Sequence, residues 1–152
     1  MNLDEVTSII GDVAFFEICD MEQKRLLAFA SEVQRFSAGE QLYSAGDASD
    51  GAYVLISGTL SITDANGQEY AQARISERGA LVGEMGLVLS RPRRAGVLAK
   101  SNVETLYISR GSFSKLLSQY PGMAERTAQR ISEELGTYVN ALRDVQDRIN
   151  RE

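Results

Sequence analysis

The chain has 152 residues, with 16 Lys and Arg against 21 Asp and Glu, 13 Gly, 2 Pro, one Cys and no His or Trp. That length suits one domain with a sizeable core, and the absence of histidine excludes Ser-His-Asp and Cys-His triads, histidine acid/base chemistry and most zinc geometries. Cys19 has no second cysteine to pair with, which fits a reducing compartment, and a formal net charge of −5 argues against general adhesion to nucleic acid or to anionic membrane.

The chain opens Met1-Asn-Leu-Asp-Glu-Val, with acids where a secretory leader needs positive charge. No apolar run approaches the ~18 residues of a membrane span, so a soluble cytoplasmic protein without membrane insertion is expected. Residues 1–31 read as helices. Leu26, Leu27, Phe29 and Ala30 recur at helical spacing after Asp20-Met-Glu-Gln, an acidic N-cap with Gln at its third position. Cys19 lies among Phe15, Phe16 and Ile18 and reads as buried and inert.

Residues 33–109 change character. Short β-branched and aromatic runs alternate with Gly, Asp and Asn, and nine of the 13 glycines lie between Gly39 and Gly96. Ala52-Tyr-Val-Leu-Ile-Ser57 and Thr59-Leu-Ser-Ile-Thr63 read as strands, the second with Leu60 and Ile62 facing inward. Asn66-Gly67 predicts a tight hairpin turn, because both residues tolerate positive φ. Val103-Glu-Thr-Leu-Tyr-Ile-Ser109 is the last strand, and such spacing predicts a sandwich or barrel. Helical periodicity returns over 111–151, broken at Tyr120-Pro121, where proline fits the first turn of a new helix. The expected fold is α+β and mainly β. It is an antiparallel β-roll or jelly-roll barrel flanked by N-terminal helices and a long C-terminal helix, all one domain over residues 1–152.

In the last helix, Ile131, Leu135, Tyr138, Leu142, Val145 and Ile149 fall at alternating steps of four and three, a heptad seam flanked by Val139. Two readings stay open. The first half packs on the roll and the rest is an ordinary amphipathic helix, or the second half pairs with a copy of itself or with a partner protein. Gly136 inside this helix weakens it by ~1 kcal/mol relative to Ala.

Gly83-Glu-Met-Gly-Leu-Val-Leu-Ser-Arg-Pro-Arg-Arg-Ala-Gly-Val97 carries the chemistry. Gly83 permits close backbone approach and an unusual dihedral at a strand end. Glu84–Leu89 predicts one or two helical turns, whose N-terminal amides favour an anion. Pro92 turns the chain, and the planar fork of Arg93 suits bidentate contact with phosphate. Glu84 beside a phosphate makes sense as an acceptor for a ligand hydroxyl such as ribose carries. These parts describe a pocket for a phosphorylated sugar. As a nucleic-acid patch, Arg91-Pro-Arg-Arg94 is too small a footprint, and no nucleophile and base can be paired, so an enzyme is not expected.

The same residues resemble the cyclic nucleotide-binding domain family, shared by catabolite-activator-type regulators, cAMP-dependent kinase regulatory subunits and nucleotide-gated channels. The family's phosphate-binding cassette runs Gly-Glu-hydrophobic-Ala/Gly-Leu, a short variable stretch, then Pro-Arg-x-Ala. This chain supplies Gly83-Glu84-Met85-Gly86-Leu87 and Pro92-Arg93-Arg94-Ala95. A second block also matches: Phe36-Ser-Ala-Gly-Glu40, Gly46-Asp47, Asp50, Tyr53 and Ser57-Gly58. The resemblance covers roughly residues 14–140. It implies that Glu84 holds a ribose 2′-hydroxyl and Arg93 a cyclic phosphate, helped by the amides of Met85, Gly86, Arg94 and Ala95. It also implies that Thr137, Tyr138 and Val139 cover the purine. Gly96 stands where relatives that favour cGMP often carry Thr or Ser, which tilts the purine towards adenine. The expectation is a non-catalytic sensor of cAMP, with cGMP second and no other cofactor, acting through its C-terminal helix as a homodimer or on a protein partner. By this reading it stands alone, without the helix-turn-helix of the activator-type relatives. The alternatives are an interaction module with an empty or altered pocket, and the sensor portion of a larger regulator.

Overall fold

The computed structural model describes the backbone through Arg151 and the side chains through Leu135, with Arg143 and Asp147 beyond them. Two compact units make up the chain, Met1–Leu116 and Leu117–Glu152. The first begins with α1 (Leu3–Gly11), a 3-10 turn (Ala14–Ile18) and α2 (Met21–Ala30). At the start of α2 the Asp20 side chain accepts from the Gln23 backbone while the Gln23 side chain accepts from the Asp20 N–H, at 2.8 and 2.9 Å. This reciprocal cap satisfies two donors that a helix start leaves open. Ile9, Ile10, Phe16 and Leu27 are fully buried in this region, and Cys19 is buried as expected.

Eight strands follow: β1 (Glu32–Phe36), β2 (Gln41–Tyr43), β3 (Gly51–Ser57), β4 (Leu60–Thr63), β5 (Glu69–Ile75), β6 (Leu81–Val82), β7 (Gly96–Ala99) and β8 (Val103–Ser109). They form two four-stranded antiparallel sheets, ordered β1-β8-β3-β6 and β2-β7-β4-β5, rather than one closed barrel. Leu42, Leu55, Leu60, Val82, Val97, Ala99 and Val103, drawn from both sheets, form the apolar core. On β4, Leu60 faces Ala99 and Ile62 faces Val97, so both turn towards this core as the alternation predicts. Ser61 and Thr63, on the other face, are buried as well.

The β4–β5 connection is a hairpin loop, but not with both Asn66 and Gly67 at positive φ as the sequence predicts. Asp64 N–H donates to the Gln68 carbonyl at 2.8 Å, and Gly67 N–H donates to the Asp64 carbonyl at 3.0 Å. Asp64 Oδ1 also accepts from the amides of Asn66 and Gln68. Only Gly67 is left-handed within this loop, at φ 80°. The aspartate side chain organises a longer loop and removes the need for a second positive φ.

After β8 the chain enters α3 (Arg110–Gln119) and, past Tyr120, α4 (Pro121–Arg151), with proline at the first helical position. Phe113 of α3 is fully buried and packs on Phe15 and Phe16, with ring centroids 6.1 and 6.4 Å away. In α4 the Thr127 hydroxyl donates to the Met123 carbonyl at 2.8 Å. Among the described residues no helix is long and apolar enough to cross a membrane.

Candidate functional site

Arg93 lies between Pro92 and β7 and is only 9% exposed. Its backbone is fixed by the loop between β2 and β3. The Arg93 N–H donates to the Asp47 carbonyl at 2.8 Å, and the Arg93 carbonyl accepts from the Gly46 N–H at 2.7 Å. Ala48 and Pro92 form an antiparallel bridge. The Ser49 hydroxyl donates to the carbonyls of Arg91, at 2.6 Å, and Leu89, at 3.2 Å. Asp47 also shapes its own loop, its carboxylate accepting from the Ser44 N–H at 2.9 Å. The second sequence block therefore holds the first in place.

The guanidinium turns inward. Nη2 donates to the Gly51 carbonyl at 2.7 Å and Nη1 to the Gly83 carbonyl at 3.2 Å, while Cζ lies 4.1 Å from the centroid of the Tyr43 ring. Among the described residues no carboxylate forms an ion pair with it. Its Nε is buried with no hydrogen-bond partner among the described residues. A buried donor left unmet costs about 1–3 kcal/mol, and an unpaired buried charge costs more. Optimisation for stability alone does not produce this arrangement.

Gly83 and Gly86 make it sterically possible. Gly83 adopts φ 75° at the end of β6, and a Cβ there would run into Arg93 Nη1. A Cβ on Gly86 would run into the Gly51 carbonyl oxygen and lie 2.9 Å from Nη1. In this structure the guanidinium occupies the space that both glycines leave open. Between them runs a single 3-10 turn, Glu84–Leu87, shorter than the 84–89 helix the sequence predicts. It is tied by Gly86 N–H to the Gly83 carbonyl at 2.9 Å and anchored by the fully buried Leu87. The Gly86 amide is thus engaged within the turn.

The other expected site residues fall around this turn. Glu84 occupies its first position, half-buried; Met85 and Arg94 are exposed, Ala95 is half-buried and Gly96 is buried. Gly96 pairs with Thr63, whose hydroxyl stands where a Gly96 side chain would begin, so strand packing itself excludes a hydroxyl residue there. On α4, Ile131 is half-buried and Leu135 exposed. Thr137, Tyr138, Val139, Leu142, Val145 and Ile149 lie outside the described side chains.

Four residues in this site were not singled out as binding residues by the sequence pattern: Tyr43, Ser49, Gly51 and Arg110. Arg110 Nη1 donates to the carbonyls of Ser49, Leu89 and Gly86 at 2.7, 3.2 and 3.3 Å, closing the cassette loop from the α3 side. Tyr43 stacks on Tyr53 with centroids 6.1 Å apart, and Tyr53 meets Tyr107 at 5.1 Å. Burial raises the pKa of Tyr43, with Arg93 opposing, and burial followed by the Asp50 charge raises that of Tyr53. Tyr107 is raised by burial and by its hydrogen bond with Asp50. The three hydroxyls therefore stay protonated at neutral pH and supply no negative charge to Arg93.

A cavity of about 340 Å³ lies at the other end of β3, lined by Arg35, Phe36, Ser37, Ser57, Asn102, Val103 and Glu104. There Arg35 and Glu104 pair at 2.9 Å, so the cation is answered within the protein. At Arg93, among the described residues, it is not, and the buried Nε is a donor that an anion could meet.

The comparisons agree with that chemistry. The model of the cyclic nucleotide-binding domain family matches residues 33–120. A cGMP-dependent protein kinase of Plasmodium berghei is 33% identical over 101 residues, which cover 65% of this chain and 11% of the kinase. The cAMP-dependent protein kinase type II regulatory subunit of Drosophila melanogaster is 27% identical over 142 residues, covering 91% of this chain and 37% of the subunit. A cyclic nucleotide-binding-like protein from Brucella abortus superposes with a TM-score of 0.61 at 34% identity, covering 76% of this chain and 99% of that one. The chain thus spans only a small part of these curated relatives. With the match running from β1 through α3 and taking in the whole Gly83–Ala95 cassette, the chain belongs to the cyclic nucleotide-binding domain family.

Proposed function

We propose that residues 1–152 act as one non-catalytic regulatory module that binds a cyclic mononucleotide, cAMP ahead of cGMP. One observation carries this reading: a buried guanidinium with an unmet Nε donor and no carboxylate partner among the described residues, set against a glycine-lined turn. A cyclic phosphate supplies the missing acceptor as a charge-assisted hydrogen bond. Glu84, at the start of the same turn, accepts from the ribose 2′-hydroxyl, and the amides of Arg94 and Ala95 assist at the phosphate. Gly96 offers no hydroxyl to a guanine, although its packing against Thr63 already accounts for the glycine. The resemblance to regulatory domains of cyclic nucleotide-dependent kinases supports the nucleotide class without choosing its base.

Binding acts as a signal only if the nucleotide prefers one arrangement of the module over another. The output is the position or order of α4, read as dimer geometry through the seam Ile131, Leu135, Tyr138, Leu142, Val145 and Ile149 or as docking of a protein partner, in the cytoplasm. A thermal-unfolding panel tests the ligand class, using protein unfolded and refolded to remove bound nucleotide. Ligand at 100 times its dissociation constant stabilises by about 2.7 kcal/mol, which raises Tm by roughly 5–10 °C for a chain of this size. Such a shift with cAMP or cGMP supports the proposal. A shift with cyclic dinucleotides alone, or with nothing in the panel, overturns it.

A further inference from the structure

The Tyr43 ring and the Arg93 guanidinium form a unit that no local motif signals. Arg93 Cζ stands 4.1 Å from the ring centroid, and Tyr43 is stacked on Tyr53 at an interplanar angle of 28°. Tyr53 in turn meets Phe36 edge-on at 6.0 Å and Tyr107 at 5.1 Å, so the ring under Arg93 is backed by three further rings. Two carbonyls, of Gly51 and Gly83, fix the direction of the Nη groups within the guanidinium plane. Those two bonds leave the plane free to tilt about the line joining the two carbonyls, and Cζ lies over the Tyr43 ring. The tyrosine stays neutral because burial raises its pKa, so the contact is with a π face and not with a phenolate.

From this geometry we infer that Tyr43 is a positioning residue for phosphate recognition, an inference that rests on the proposed nucleotide-binding function. The stacked ring holds the guanidinium plane so that its unmet Nε donor stays aimed at the anion. The ring is the active part, since the hydroxyl contributes nothing to the cation–π attraction on which the tilt depends. Phenylalanine should therefore replace Tyr43, and a branched aliphatic residue of similar burial should not.

The test has a ligand-free arm and a ligand arm. In nucleotide-free protein, the proton–nitrogen correlation of the Arg93 Nε–H, assigned by its loss in Arg93→Lys, is displaced upfield by the ring current of Tyr43. That displacement persists in Tyr43→Phe and disappears in Tyr43→Leu. Titrated calorimetrically with cAMP and with cGMP, Tyr43→Leu binds about 10-fold more weakly than the unsubstituted chain, whereas Tyr43→Phe stays within ~2-fold. Urea unfolding of each variant shows that the affected proteins are folded. An unshifted Nε–H signal, equal affinity of Tyr43→Leu and the unsubstituted chain, or equal losses in Tyr43→Phe and Tyr43→Leu each overturns the positioning role. Failure of the unsubstituted chain to bind either nucleotide overturns the proposed function itself, and the positioning role with it.

Discussion

Two arginines mark the two ends of the β-roll. At one end Arg35, on β1, reaches across to Glu104 on β8 at 2.9 Å, and its side chain is 75% exposed. At the other, Arg93 is 9% exposed, rests on two carbonyls and a ring, and keeps an unmet donor. The first is an ordinary surface pair, contributing at most about 1 kcal/mol. The second carries a desolvation cost that nothing among the described residues fully offsets. Within one fold the same residue type is therefore answered by a carboxylate at one end and, among the described residues, left with an open donor at the other.

The strongest way to break this contrast is Arg93→Leu. Removing a charge-assisted bond of about 1.5–3 kcal/mol lowers nucleotide affinity roughly 10- to 150-fold. Leucine relieves the buried charge but also removes the donors to the Gly51 and Gly83 carbonyls, so folding stability falls by no more than about 1–3 kcal/mol. Calorimetry and urea unfolding, run on the same preparation, check both halves; a large loss of stability would mean that Arg93 is structural. Gly86→Ala comes next. Its Cβ meets the Gly51 carbonyl oxygen and crowds Arg93 Nη1, so it destabilises by about 1–3 kcal/mol and weakens binding together. Stability and affinity both at the unsubstituted level would show that the turn has room to spare.

A third expectation concerns alkaline pH. Tyr43, Tyr53 and Tyr107 have folded pKa values raised above the ordinary value of about 10. The folded state then holds protons that the unfolded chain has lost, so the stability they contribute is full below about pH 10 and declines as pH rises beyond it. Urea midpoints measured upward from neutral pH should stay level and then fall; a midpoint that rises through this range would contradict the buried tyrosine array. The smallest effect belongs to the other arginine. Arg35→Ala should cost no more than about 1 kcal/mol, fade with added salt and leave nucleotide affinity untouched. A change in affinity there would erase the distinction between the two ends.

Much of this was legible in the sequence because it is local. The Asp20/Gln23 cap, the break before Pro121 and the spacing of the cassette each depend on residues a few positions apart, where side-chain chemistry and backbone geometry act directly. The hairpin after β4 is less legible, because the Asp64 carboxylate sets its shape together with Gly67, the only left-handed residue of the Asn66-Gly67 pair. The surroundings of Arg93 were not legible. Gly51 reaches it across 42 positions, and Arg110 reaches Ser49 across 61, in both cases through backbone carbonyls that carry no residue-type signal. The same holds for Tyr43, whose aromatic character fits a core residue until the guanidinium is placed over it.

The central claim is that Arg93 is buried and incompletely satisfied in order to meet a cyclic phosphate. Its most direct test is calorimetric titration of the chain, unfolded and refolded to strip nucleotide, with cAMP and cGMP in parallel. Saturable binding at a single site by at least one of them, with cAMP the tighter, is the expected result. An absence of binding heat with both, at temperatures chosen to give a non-zero enthalpy and with unfolding curves showing the protein folded, would contradict it.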